Sequence, residues 1–131
     1  AQVLGADLAY IGTGFIATQE ANAKDRYKQM IVDAKAEDII YTPEFTGVNA
    51  SFLKASIEDA GIKASQVAGP ATGKPSKLWL MWKHWRMKHA KQWRDIWSAG
   101  QGVTEIQQVL GVHAYVEQLK REYDVARAAV K

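Results

Sequence analysis

Cysteine is absent from this 131-residue chain. No disulfide framework can staple the fold, and no thiolate is available as nucleophile or metal ligand. A reducing, cytoplasmic setting is the expectation. No apolar run approaches the ~20 residues needed to cross a bilayer. The start lacks a basic n-region, and Asp7 interrupts its short apolar stretch, so no secretory leader is read there. The three histidines, His84, His89 and His113, lack metal-ligand spacing, and no carboxylates cluster with them. No metal site is therefore expected. Acidic residues are missing between Gly61 and Arg94, where eight Lys or Arg occur. The rest of the chain holds nine basic and fourteen acidic residues, a balance of −5. The overall +3 thus hides a bipolar chain whose basic middle calls for an explanation. No internal repeat is visible.

What is present suits one modest domain: 47% hydrophobic and 24% charged residues are ordinary for a globular protein. The stretch from Gly5 to Thr18 organises the reading. Residues 8–11, Leu-Ala-Tyr-Ile, are expected to form a short strand buried on both faces, since no charge follows Asp7. The strand runs into Gly12-Thr13-Gly14 and then a helix. Glycines let a ligand approach the backbone, and amides entering a helix point outward with partial positive charge. The Thr13 hydroxyl adds one hydrogen bond to this arrangement, which suits a phosphate. A plain tight turn remains the alternative on local chemistry alone.

Residues 1–4 read as the tail of a helix stopped by Gly5. Such an uncapped start leads to the expectation of a truncated chain. Residues 20–35 show Tyr27, Met30, Ile31 and Ala34 at helical spacing, with Lys24, Arg26, Lys28 and Asp33 elsewhere. Residues 37–45 are β-branched and aromatic and predict a strand ended or pushed to an edge by Pro43. A turn at residues 46–48 leads to Asn49 as the cap of a helix over 50–60, closed by Gly61. Residues 68–76 form a loop, and Ser76 caps the next helix.

Residues 76–97 place Leu78, Met81, Trp82, Trp85, His89, Trp93 and Ile96 on one face, with Lys77, Lys83, Lys88, Lys91 and Arg94 elsewhere. The Trp face either packs on a core, lies on a membrane surface or meets nucleic acid, or else faces a surface outside this chain. His89 on that face reads as a core residue, and His84 and His113 as surface ones. Gly100 and Gly102 then permit a turn. Thr104 caps a short helix to Leu110, Gly111 breaks it, and residues 112–130 form an amphipathic helix with Val112, Tyr115, Val116, Leu119, Tyr123, Ala126 and Val130 along its stripe. Glu117 and Arg121 are an i,i+4 pair.

Three segments carry a resemblance. They are Gly-Ala-Asp-x-x-Tyr-Ile-Gly-Thr-x-Phe-Ile-Ala-Thr-x-Glu-Ala from Gly5, Tyr27-Lys28-Gln29-Met30 with Ile39-Ile40-Tyr41-Thr42-Pro43-Glu44-Phe45-Thr46-Gly47, and Trp97-Ser98-Ala99-Gly100-Gln101-Gly102. In this order they resemble the nitronate monooxygenase family, flavin enzymes once called 2-nitropropane dioxygenases. The resemblance covers nearly the whole chain and is weakest between Gly61 and Arg94. It implies an α/β fold: the C-terminal portion of a flavin-binding (β/α)8 TIM barrel with part of a small substrate-side domain, mostly helical with two short strands. Residues 1–36 would hold the last barrel strand, phosphate loop and following helix. Residues 37–97 would belong to the small domain, and 98–131 to the active-site loop and closing helix. The implied activity is oxidation of alkyl nitronates with O2, with FMN as cofactor.

By this resemblance Gly12 and Thr13 bind the FMN phosphate, and Ser98 and Gln101 face the substrate pocket. The family's catalytic histidine has no counterpart, so no catalytic residue is assigned and the chain is expected to be inactive alone. Gly14 stands where the family more often has arginine. Expected partners are a nitronate, O2, and either the N-terminal barrel half or a second copy met through the Trp-rich helix. Nucleic acid and a membrane span are not expected. The alternative function is a non-enzymatic interaction module that uses helix 76–97 to bind an anionic surface or a protein.

Overall fold

The computed structural model describes residues 5–67 and 94–130. In chain order it contains α1 (Thr13–Ile16), α2 (Asp25–Asp33), β1 (Ile39–Thr42), β2 (Ala50–Leu53), α3 (Lys54–Asp59) and α4 (Val112–Ala129). Short 3-10 turns occupy Ala36–Asp38, Ala64–Gln66 and Gln101–Glu105. The result is a small mixed α/β unit with one two-stranded sheet among the described residues.

β1 and β2 pair antiparallel, with Ile39 opposite Leu53 and Ile40 opposite Phe52. The connecting turn is closed by the Gly47 N–H donating to Pro43 O at 2.8 Å. Neighbouring residues on a strand face opposite ways, and both faces of β2 are covered. Leu53 joins Ala17, Met30, Ile31, Ala99, Val103 and Ile106 in one core. Phe52 joins Phe45, Ile57, Ile62 and Ile96 in another, where its ring meets Phe45 edge-on at 5.0 Å.

The free edge of β2 takes residues 97 and 98. The Leu53 N–H donates to Trp97 O at 2.9 Å, and Phe52 bridges Ser98 antiparallel. Ser56, fully buried, links the same pieces. Its Oγ donates to Leu53 O at 2.8 Å and accepts from the Trp97 N–H at 3.0 Å.

Several expectations are corrected. Residues 8–11 pair with no strand among the described residues. Leu8 is 90% and Tyr10 100% exposed, because a lone extended segment has nothing to bury them. Residues 50–53 are a strand rather than the start of a helix, and Leu53, not Asn49, precedes α3. Pairing with β1 outweighs the local cap signal. The helix expected over 20–35 starts only at Asp25. Lys28 is buried, its Nζ donating to Gln19 O at 3.2 Å near the end of α1. Thr104 caps no α-helix; the 3-10 turn ends at Glu105, and Thr104 Oγ1 accepts from the Ala36 N–H at 3.1 Å. Glu117 pairs with Lys120 at 3.1 Å rather than with Arg121.

Other expectations agree with the structure. Gly61 follows α3 with φ +78°, a conformation that disfavours any side chain. β1 stops just before Pro43. The long C-terminal helix is present, although none of its residues is buried. The loop at 68–76 and most of helix 76–97, with His84 and His89, lie outside the described residues. Arg94 to Trp97 are not helical; Ile96 is buried beside Phe52, and Trp97 is held against β2.

Replacing Ser56 with alanine leaves the partly buried Trp97 N–H without its acceptor. The expected loss is about 1–3 kcal/mol of unfolding free energy, read from the denaturant midpoint of Ser56→Ala against the wild type.

Candidate functional site

The glycine turn leads directly into α1. Gly12 is its N-cap and is exposed. A Cβ at Gly12 would meet only the Tyr10 ring, at 4.0 Å. The Gly12 carbonyl accepts from the Phe15 and Ile16 N–H groups at 3.1 and 3.2 Å. The N–H groups of Gly12, Thr13 and Gly14 have no acceptor among the described residues, and the turn is exposed at Gly12, where an outside oxygen can reach it.

Gly14 is buried, and its lack of a side chain is used. A Cβ there would overlap the Tyr115 hydroxyl and ring. Tyr115, in the first turn of α4, also packs edge-on against Phe15 at 5.1 Å and 80°. Burial pushes its phenol up, and Glu122 adds to the shift. The start of α4 is fixed by Glu20, whose two carboxylate oxygens accept the Val112 N–H at 3.0 and 2.9 Å.

Eighty-seven residues along the chain, the Ser98–Gln101 loop arrives at the same place. The Gly100 N–H donates to Thr13 Oγ1 at 3.0 Å. The loop is anchored behind by Tyr27, whose hydroxyl donates to Ser98 O at 2.5 Å and whose ring stacks on Trp97 at 4.8 Å. Burial raises the Tyr27 phenol above its ordinary value, an effect that the Ser98 side chain partly offsets. Ser98 is half-buried, and no histidine or carboxylate bonds to it among the described residues. Gln101 is exposed at the start of its 3-10 turn. Ile16 and Trp97 also line an open hollow of about 510 Å³ with Lys24, Tyr27 and Arg94. There the Lys24 ammonium stands 5.7 Å from the Trp97 ring centroid.

The structure therefore brings Gly12 and Thr13 beside the Ser98–Gln101 loop. Every group offered at this junction is neutral and polar: amides, a threonine hydroxyl, a serine and a glutamine. Such a set can bind and orient a ligand, but none of these groups titrates near neutral pH to act as an acid or base. Among the described residues no cluster of three or more His, Cys, Asp or Glu could hold a metal ion. No helix among them is long and apolar enough to cross a membrane. Sequence reasoning placed Tyr27 and Tyr115 only on apolar stripes and missed what their hydroxyl ends do. The one available signal for Tyr115 was an unexplained glycine at position 14.

The model of the nitronate monooxygenase family matches residues 1–122. The chain belongs to the nitronate monooxygenase family. That family is one of oxidoreductases, generally flavin-dependent. Searches of curated proteins and of solved structures give no match. For a family member with Gly14, the Tyr115 contact explains why a large residue cannot stand at that position as the helix now lies.

Gly14→Ala is expected to cost about 1–3 kcal/mol through overpacking. In a Tyr115→Ala background the same change should cost much less, and a double-mutant cycle of unfolding free energies measures the coupling. A second expectation concerns pH. The Tyr27 phenol is neutral in the fold and has its ordinary value when unfolded, so its contribution is full below about pH 10. It is lost as pH rises through the folded value, because the unfolded chain then binds fewer protons. Denaturant unfolding from about pH 8 to about pH 11 should show stability falling at the alkaline end, less steeply in Tyr27→Phe. The remaining slope should contain the Tyr115 contribution, which has the same sign.

Proposed function

We propose that this chain is the C-terminal part of an FMN-dependent nitronate monooxygenase that oxidises alkyl nitronates with O2, and that it is inactive alone. The observation that carries the reading is the Gly100 N–H to Thr13 Oγ1 hydrogen bond at 3.0 Å, because it joins the glycine turn to the Ser98–Gln101 loop. Membership of an oxidoreductase family supports the reaction class.

The residues present fit the phosphate end of FMN. Gly12 is exposed, and a side chain there would meet only the edge of the Tyr10 ring, at 4.0 Å. Three successive N–H groups there lack an acceptor among the described residues. Gly12 and Thr13 would hold that end through amides and a hydroxyl, without a charged side chain. Ser98 and Gln101 would orient the nitronate or the flavin ring with neutral hydrogen bonds. FMN, when bound, supplies the electron chemistry with O2. The part played by this chain is to bind, orient and hold its two loops in register. Proton removal from a nitroalkane falls to a group outside the set named here.

The exposed Leu8, Tyr10 and Ile11 support the barrel reading. Such side chains are what a parallel strand covered on both faces carries. On this reading residues 1–36 contribute the last barrel strand and phosphate loop, 37–97 part of the small domain, and 98–131 the active-site loop and closing helix.

The test uses the full-length gene product beside the 131-residue chain. The full-length protein is expected to be yellow, with flavin absorbance, and to take up O2 when given an alkyl nitronate; the chain alone should take up none. A colourless full-length protein without nitronate-dependent O2 uptake would overturn the reading.

A further inference from the structure

A threonine hydroxyl has one proton to donate and two lone pairs to accept with. At Thr13 one lone pair is taken by the Gly100 N–H at 3.0 Å. The proton has no acceptor among the described residues. The hydroxyl therefore has one side committed to the 98–101 loop and one side open.

Gly100 cannot drift freely, because the chain leading to it is pinned. The Leu53 N–H holds Trp97 O at 2.9 Å, Ser56 Oγ accepts the Trp97 N–H at 3.0 Å, and the Tyr27 hydroxyl holds Ser98 O at 2.5 Å. Beyond Gly100 its carbonyl accepts from the Val103 N–H at 3.3 Å. The contact with Thr13 is the hydrogen bond by which this anchored loop meets α1. In a chain of hydrogen bonds each member polarises the next. A hydroxyl that donates to an anionic oxygen becomes a better acceptor for the N–H on its other side.

We propose that Thr13 is a positioning residue that couples the two halves of the site: a phosphate oxygen taken by its proton tightens its hold on Gly100 and so orders the Ser98–Gln101 loop. The proposal rests on the reading that the turn at Gly12 and Thr13 receives the FMN phosphate. Coupling of this kind is reciprocal, so a ligand seated against residues 98–101 strengthens the grip on the phosphate. Serine at position 13 keeps both sides of the hydroxyl. Valine keeps the shape and removes both.

The experiment is hydrogen–deuterium exchange on the full-length protein, reading peptides that cover residues 98–103, with no ligand, with FMN and with riboflavin, which lacks the phosphate. Flavin titrations on the wild type, Thr13→Ser and Thr13→Val run alongside. In the wild type, FMN should slow exchange at Gly100 about tenfold more than saturating riboflavin does. Thr13→Ser should keep that difference. Thr13→Val should lose it and bind FMN about tenfold more weakly, while its riboflavin affinity stays within about twofold. Equal protection by FMN and riboflavin in the wild type overturns the coupling while leaving the functional reading intact, and this comparison needs no variant to fold. Retention of the FMN-specific protection in Thr13→Val overturns it as well. A wild type that binds no FMN overturns both.

Discussion

β2 is enclosed on both faces and both edges, and the remainder of the structure depends on that enclosure. Phe52 and Leu53 point to opposite sides and each sits inside a separate apolar cluster. One edge is taken by β1 and the other by residues 97 and 98. Four residues thus hold together segments far apart in sequence. The buried Ser56 hydroxyl completes the arrangement by satisfying a carbonyl of β2 and an amide of the returning chain together. An unmet polar group at that place would cost about as much as burying a side chain contributes.

The site inherits its geometry from this enclosure. Once Trp97 lies along β2, Ser98 and Gly100 have little choice of position. Tyr27 reaches them from α2 and Thr13 from α1. The surface ion pair between Arg26 and Asp59, at 3.0 Å and well exposed on both sides, ties α2 to α3 but adds little to stability by itself. Apolar burial and a few buried hydrogen bonds set the positions, and the exposed loop tips carry the groups available to a ligand.

What could be read from the residues follows from the range of the forces involved. The helical spacing of Tyr27, Met30 and Ile31 marked α2, and the run of Ile39, Ile40 and Tyr41 marked β1, because both signals are local. Residues 50–53 misled because Asn49 resembles a cap and Phe52, Leu53, Ser56 and Ile57 also suit a helix. Only the partner strand decides between the two. Residues 8–11 have strand composition, but composition supplies no neighbour. The junction of Thr13 with Gly100 leaves no mark on either segment alone, and the family resemblance spoke only of a phosphate turn and a separate pocket loop. The fit of Tyr115 over Gly14 left only the glycine itself as a signal, and a missing side chain has meaning only once its opposite number is known.

α4 meets the rest of the molecule through its first turn. Glu20 grips the Val112 amide, and Tyr115 lies over Gly14 and Phe15. Beyond Leu119 every described residue of the helix is exposed. An 18-residue helix is about 27 Å long, so it acts as a pointer mounted on the glycine turn. A tilt of about 10° at its base would carry its far end by roughly 5 Å. Geometry at the mouth of α1 is thereby magnified at the far end of the helix.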